Sequence, residues 1–244
     1  MKKFKCSMLL AATVLASSVY AGGPDVMAAP QHQDPTLFAT AEGGYSWNSV
    51  GDTTIVYDGI GGTVAKSDEG ATARVAVGGI HYTTNPNLSY TGEIGGGYYG
   101  KNTFGNAARG IDARNYYYGL DLLAGVDYKV NNMFDIFAKF GGLLENIRMV
   151  RNYNLSLLTS DVTGSDNETS TAFSFAPELK LGAVYNIDSV WGLSASYLHV
   201  FGNDVSMSIN KTQAAGVTTA VTSSQTGGPV SLNTILAGVV YKFN

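Results

Sequence analysis

Apolar and polar residues alternate with a period of two along most of the chain. In 115–130 the even positions carry Tyr, Leu, Ala and Val, while the odd positions include Asn, Gly, Asp and Lys. This period predicts β-strands with one apolar and one polar face. The same pattern predicts eight strands, at 36–48, 70–82, 88–100, 115–130, 134–145, 173–187, 191–203 and 230–243.

The predicted strands are long for a soluble sheet. An ordinary strand has about five or six residues, whereas a tilted strand that crosses a bilayer needs about 9 to 11. The connections alternate strictly in length: 49–69, 101–114, 151–169 and 204–229 are long, and 83–87, 131–133 and 188–190 are short. This alternation is typical of bacterial membrane barrels, which have long extracellular loops and short periplasmic turns.

Aromatic residues lie near both ends of the predicted strands, as expected for side chains at two membrane interfaces. Those next to the long loops are Tyr45, Trp47, Tyr98, Tyr116, Phe173 and Phe201, and those next to the short turns are Tyr128, Phe134, Tyr185, Trp191, Tyr241 and Phe243. Within the first long loop, 53–66 predicts a hairpin that turns at Asp58-Gly59.

The N-terminus predicts export. Residues 1–21 have a basic start, an apolar stretch and a small-residue cleavage site, which together predict a signal peptide, and 22–35 predict an extended periplasmic leader. Cleavage removes the single Cys and three of the 15 basic residues, leaving 12 against 19 acidic ones. Only 14% of the residues are charged, and no basic cluster outside the signal indicates a nucleic-acid partner.

The last predicted strand ends in a pattern of glycine followed by spaced aromatics: Gly238, Tyr241 and Phe243. This pattern resembles the C-terminal assembly signal of bacterial outer-membrane barrels, and Asn244 departs from the usual terminal aromatic. Together with the strand pattern, the chain is similar to small eight-stranded barrels of the OmpA transmembrane-domain, OmpX and opacity type. The resemblance implies an all-β, antiparallel, up-and-down transmembrane barrel over 36–244, with outer-membrane lipid, lipopolysaccharide and the barrel-assembly machinery as partners.

Seven charged residues are predicted to face the barrel interior: Glu42, Arg74, Glu93, Asp121, Lys139, Glu178 and Lys180. An eight-stranded barrel is only wide enough for its own side chains, so we expect these charges to pair with one another and with trapped water. They predict a plug rather than a channel. The run Gly95-Gly96-Gly97 is expected to make room for a bulky neighbour such as Tyr117 or Phe137.

Candidate catalytic and metal-binding groups are few. The three histidines, His32, His81 and His199, fall on different segments and do not converge with a nucleophile and an acid. Three acidic residues of the third long loop, Asp161, Asp166 and Glu168, fit no calcium-loop spacing. The sequence therefore predicts no catalytic residue, no metal site and no cofactor.

The resulting hypothesis is a structural or surface-interaction protein of the bacterial outer membrane, adhesin-like, whose extracellular loops contact a host or surface ligand. Two alternatives stay open. Hairpins in the first and last loops could raise the strand number to ten or more and form a narrow porin. The chain could also be a lipid-modifying or proteolytic barrel enzyme.

Overall fold

The computed structural model describes residues 35–49, 54–57, 60–63, 65–67, 69–106, 111–154, 165–202, 206–211, 221–226 and 231–243. The predicted signal peptide, 1–21, and the leader up to residue 34 lie outside these residues. The described part contains thirteen strands: β1 (Thr36–Ser49), β2 (Thr54–Tyr57), β3 (Ile60–Thr63), β4 (Ala65–Ser67), β5 (Glu69–Tyr82), β6 (Leu88–Asn106), β7 (Ile111–Asn131), β8 (Phe134–Asn154), β9 (Ser165–Asn186), β10 (Trp191–Val200), β11 (Ser206–Lys211), β12 (Val221–Thr226) and β13 (Ser231–Phe243). No helix in this part is long and apolar enough to cross a membrane.

Eight of the strands close into an antiparallel barrel. Their order is β1-β5-β6-β7-β8-β9-β10-β13, and β13 pairs back onto β1. The closing pair is continuous from Leu37 opposite Phe243 to Ser49 opposite Ser231. The prediction of an eight-stranded, up-and-down barrel is confirmed.

The two faces of the wall differ as the alternation predicts. Along β10, the odd residues from Trp191 to Tyr197 are exposed and the even residues from Gly192 to Val200 are buried. Many of the outward side chains of the barrel are large and apolar, and Leu120 remains 65% exposed. An exposed belt of this size needs an apolar surrounding, which the acyl chains of a bilayer supply.

Two of the predicted long loops begin and end in strand, so their predicted limits are wrong. The segment 101–114 continues β6 and β7 as a hairpin whose pairing reaches Asn106 opposite Ile111. The segment 151–169 continues β8 and β9 until Asn154 lies opposite Ser165. The backbone ladder continues beyond the apolar belt, where the outward residues turn polar and the sequence pattern stops indicating a strand.

The hairpins of the first and last loops form a sheet of their own. The β2 and β3 strands pair up to Tyr57 opposite Ile60, so the predicted hairpin in 53–66 is present, although 58–59 lie outside the described residues. The β12 strand pairs with both β11 and β2, which gives the order β11-β12-β2-β3. These strands pair with one another and not with the barrel, so the described barrel stays at eight strands and not ten.

A β-bulge interrupts the pairing of β6 with β7. Tyr98 lies opposite Tyr118, but the next pair is Lys101 opposite Tyr116, so Tyr99 and Gly100 together oppose one residue. Gly100 has a φ of 104°, a backbone conformation that glycine adopts without steric cost. Because the extra residue shifts the alternation, Tyr99 stays inside and Lys101 is exposed on the outer face.

Candidate functional site

The seven predicted charged residues all lie inside the barrel and are buried. Five strands that follow one another around the wall, β1, β5, β6, β7 and β8, supply one each, and β9 supplies two. The register places Glu42 opposite Arg74 on β1 and β5, and Lys139 opposite Lys180 on β8 and β9. We call these seven residues the lumen cluster.

Arg74 is the centre of the lumen cluster. Its Nη1 donates to Oε2 of Glu42 at 2.8 Å, its Nη2 to Oε1 of Glu93 at 2.7 Å, and its Nε to Oδ2 of Asp121 at 2.8 Å. A guanidinium presents its donors in a fixed planar fork, so one side chain can satisfy three carboxylates at once. Tyr99 adds a donor, because its hydroxyl lies 2.6 Å from Oδ2 of Asp121.

The two lysines complete the cluster around Glu93. Nζ of Lys139 lies 2.7 Å from Oε2 of Glu93, and Nζ of Lys180 lies 3.2 Å from the other oxygen and 2.8 Å from Oε2 of Glu42. Glu93 therefore contacts all three bases. Nζ of Lys139 also lies 4.7 Å from the centre of the Phe137 ring, within cation–π range.

Glu178 lies apart from the ion pairs that the other six members of the lumen cluster form. It is fully buried, yet neither carboxylate oxygen has a hydrogen-bond partner among the described residues. The three bases of the cluster already bind Glu42, Glu93 and Asp121. Four carboxyl groups thus share three bases, and Glu178 is left without one.

Gly95 makes room for an ion pair, and the expected role beside Tyr117 or Phe137 is wrong. A Cβ atom at this position would lie 2.5 Å from Nη2 of Arg74 and 2.7 Å from Oδ1 of Asp121. The closest approach is therefore to polar atoms of the lumen cluster and not to an aromatic ring.

The lumen is filled on both sides of the cluster. Toward the long loops the inward side chains form a buried apolar layer, made of Tyr99, Tyr117, Leu143, Ile147, Met149, Ala176, Leu198, Val200, Leu232 and Leu236. Toward the short turns lies a cavity of about 50 Å³, lined in part by Phe38, Thr40 and Lys242. Such a cavity is large enough for a few water molecules. The described side chains therefore plug the barrel and leave no wide passage.

Sequence reasoning missed several inward residues that belong to this interior. Tyr99 shares the odd numbering of Glu93 on β6, and Glu145 shares that of Lys139 on β8, so the alternation itself could have identified both. Arg151 is also buried, on the part of β8 that was predicted as loop. Asn102 donates to the Tyr117 hydroxyl at 3.1 Å, but the bulge before Asn102 reverses its expected face.

Where the structure describes them, the candidate histidines and the candidate acidic residues of the third long loop lie on different strands. His199 lies on the outer wall, where its Nδ1 is 2.8 Å from Oδ1 of Asn233 and its ring meets Phe201. His32 and Asp161 lie outside the described residues. Asp166 and Glu168 belong to β9 and not to a loop. Among the residues that the structure describes, no group of three or more His, Cys, Asp or Glu could hold a metal ion.

The residues of the C-terminal pattern lie on β13. Gly238 faces the lumen beside Glu42, where an added Cβ would lie 2.3 Å from the carbonyl oxygen of Ala41. Tyr241 and Phe243 lie on the outer face, with ring centres 4.9 Å apart, and Tyr241 also meets Trp191 at 4.9 Å. These three rings form part of the aromatic belt next to the short turns.

A closed eight-stranded barrel with an apolar outer belt and a plugged polar interior defines a small membrane barrel. The family model described as "Outer membrane protein beta-barrel domain" matches residues 7–243. The chain belongs to this family, and it is a protein of the outer membrane of Gram-negative bacteria.

Solved structures of bacterial outer-membrane proteins are similar to this chain at low sequence identity. OprG from Pseudomonas aeruginosa is 15% identical, with 86% of this chain and 96% of that chain covered and a TM-score of 0.51. Ail, the attachment invasion locus protein of Yersinia pestis, is 13% identical over 84% and 98%, with a TM-score of 0.39. The outer-membrane protease OmpT from Escherichia coli is 10% identical over 88% and 98%, with a TM-score of 0.48. No curated protein matches the chain.

Proposed function

We propose that the chain is a non-enzymatic outer-membrane scaffold that presents an extracellular β-sheet to a surface ligand. The observation that carries the proposal is the pairing of β12 with β2, which joins the hairpins of the first and last loops into one four-stranded sheet. Paired hairpins hold a recognition surface in a fixed shape, so less conformational entropy is lost on binding than with separate flexible loops.

The barrel interior supports a scaffold more than a pore. Buried ion pairs of the lumen cluster connect six strands, and the apolar layer covers the cluster on the side of the long loops. A water-filled passage would need to separate these pairs. Buried pairs are costly to break, since each unpartnered charge keeps its desolvation penalty. The ligand that we propose for the sheet is a protein or glycan outside the cell.

The scaffold is tested by replacing both hairpins, 54–63 and 206–226, with short Gly-Ser turns. Cells that display the native or the shortened chain are applied to an array of immobilised matrix proteins and glycans. We expect the native chain to bind at least one member and the shortened chain to lose that binding. In a matched control, only 107–110 are replaced with Gly-Ser, and we expect this control chain to keep the binding. Equal binding by the shortened chain contradicts the proposal.

The pore alternative is tested on the same purified chains in planar lipid bilayers. A plugged barrel gives no stepwise conductance, and shortening the hairpins leaves the record unchanged because the lumen cluster stays intact. Regular conductance steps from the native chain would favour the narrow porin. A hydrolytic activity toward lipid or peptide substrates that follows the folded chain through purification would favour the enzyme.

A further inference from the structure

Three basic side chains lie close together on the outer wall, directly beyond the apolar belt at the end that carries the long loops. They are Lys101 on β6, Arg114 on β7 and Arg148 on β8, and all three are exposed. We call them the basic row. Among the described outward positions at this end, basic residues occur only on these three adjacent strands.

The register brings the basic row together. Tyr116 of β7 lies opposite Lys101 of β6 on one side and opposite Arg148 of β8 on the other. Lys101 and Arg148 therefore lie at the same height, with Tyr116 between them. Two strand spacings of about 4.8 Å put Lys101 and Arg148 roughly 10 Å apart. Arg114 lies one outward position further along β7. Such a spacing allows two or three cations to contact one multiply charged anion.

The β-bulge places Lys101 in this row. Without the extra residue at Tyr99-Gly100, strict alternation after Tyr98 would turn Lys101 into the lumen. The bulge instead keeps Lys101 on the outer face, level with Tyr116. The β-bulge interrupts the hydrogen bonding between β6 and β7, and it places the Lys101 side chain on the outer face of the barrel.

The height of the basic row matches the boundary of the membrane. On β8 the outward face is apolar from Phe134 to Leu144, which is 11 residues, and Arg148 follows beyond Asn146. A tilted strand crosses the hydrocarbon with about 9 to 11 residues. On β7 the outward leucines give way to Tyr118 and Tyr116, and Tyr118 contacts Tyr98 of β6 at 5.3 Å in the aromatic belt. The basic row thus lies at the level of the lipid headgroups.

The charge of the basic row is largely free to bind an anion. Asp112 forms an ion pair with Arg114 at 3.0 Å, so the row keeps a net charge of about +2. Within the described part of the chain, neither Lys101 nor Arg148 contacts a carboxylate. Guanidinium groups match phosphate oxygens in geometry, and they are common at phosphate sites.

We infer that the basic row binds the phosphate groups of a lipid headgroup in the outer leaflet, with the acyl chains against the apolar faces of β6, β7 and β8. The chemical class is a phosphorylated glycolipid or another anionic lipid with more than one phosphate. An apolar surface directly below the cations favours a lipid over a soluble polyanion, because a soluble polyanion has no acyl chains to contact that surface. The inference does not depend on what the extracellular sheet binds.

The test uses the full chain folded in nanodiscs that contain phosphatidylcholine and 5% bis-phosphorylated lipid A or the same lipid A after complete dephosphorylation. The variant is Lys101→Gln, Arg114→Gln and Arg148→Gln together, and the matched control is Lys129→Gln, an exposed base at the opposite end. Since all four side chains are exposed, we expect every chain to fold, which altered gel migration before boiling verifies. Lipid that stays bound after extraction into detergent is measured by mass spectrometry.

We expect the native chain and the control to retain phosphorylated lipid A at least tenfold more than the triple variant, and no chain to prefer the dephosphorylated lipid. Addition of inorganic phosphate or a heparin fragment should not displace it. Equal retention by the native chain and the triple variant overturns the inference. Full displacement by the heparin fragment also overturns it, in favour of a soluble surface polyanion.

Discussion

Gly95 on β6 lies directly opposite Asp121 on β7, and the missing side chain at Gly95 leaves the space in which Asp121 meets Arg74. The sequence change that removes this space is Gly95→Ala. Its Cβ atom would lie 2.5 Å from Nη2 of Arg74. Arg74 cannot withdraw freely because its guanidinium binds three carboxylates.

We expect Gly95→Ala to lower the free energy of unfolding by about 1–3 kcal/mol, as for other substitutions that overpack a core. Urea unfolding in detergent, followed by tryptophan fluorescence, measures the change. Gly92→Ala is the control on the same strand, because its Cβ atom would have only one neighbour within 4 Å, at 3.9 Å. Equal effects at both positions would show that Arg74 does not fill the space beside Gly95.

Arg74→Met removes the centre of the lumen cluster while it keeps most of the side-chain volume. Asp121 then has no base, and Glu42 and Glu93 keep only lysines. We expect the free energy of unfolding to fall by about 3–5 kcal/mol, the range for removing one partner of a buried ion pair. A double-mutant cycle with Asp121→Asn measures the coupling. A coupling energy near zero would mean that the two side chains do not interact in the folded barrel.

Glu93 and Glu178 should respond in opposite ways to loss of charge. Glu93→Gln removes the carboxylate that three bases share, and we expect it to destabilise the barrel by about 3–5 kcal/mol. Glu178→Gln removes a carboxyl group that has no described hydrogen-bond partner, so we expect it to be neutral or stabilising. The measurement is the urea midpoint of each variant at pH 7. A large loss with Glu178→Gln would reveal a partner for this group.

The sequence allowed most of this interior to be predicted, because alternate residues of each strand face the lumen. This alternation placed Glu42 and Arg74 correctly, along with the rest of the lumen cluster. It fails beyond the bulge, where one extra residue reverses the faces of Lys101 and Asn102. Partners within the lumen also depend on distances across the barrel, which is why the unpaired state of Glu178 could not be predicted.

The outer limits of the strands were harder to predict for a different reason. Outward residues are apolar only where lipid surrounds them, so the alternation loses its contrast at Arg114 and Arg148. The backbone ladder does not depend on that contrast and continues to the hairpin tips. The pairing of β2 with β12 joins segments that are far apart in sequence, and no local pattern marks it.

The short turn after β9 contains a carboxylate that should make its structure depend on pH. Oδ1 of Asp188 accepts the backbone N–H groups of Trp191 at 2.6 Å and Val190 at 2.7 Å. These bonds, that of Trp191 first, lower the pKa of the Asp188 carboxyl below its ordinary value. A lowered pKa in the folded state stabilises the turn above the unfolded pKa of about 3.9, and the contribution disappears as the pH falls through the folded value.

NMR titration of the Trp191 amide proton in micelles, from pH 6 to pH 2, follows this loss. We expect a midpoint below the ordinary Asp value. Asp188→Asn keeps an oxygen acceptor but cannot titrate, so its Trp191 signal should stay constant over the same range. A midpoint at or above the ordinary value would show that the two backbone bonds do not form in solution.

The lipid-facing side of the barrel is tested by placing arginine at two different depths in the membrane. Leu122 is 63% exposed on β7 and lies near the middle of the apolar belt, between Tyr118 and Tyr128, whereas Leu37 is 62% exposed at the periplasmic start of β1. We expect Leu122→Arg to destabilise the folded barrel by about 2–4 kcal/mol and Leu37→Arg by about 0–1 kcal/mol, because a charge costs most at the bilayer midplane. Reversible folding into lipid vesicles measures both values. In water the two equally exposed leucines would tolerate arginine equally well, so equal losses would show that lipid does not surround this face.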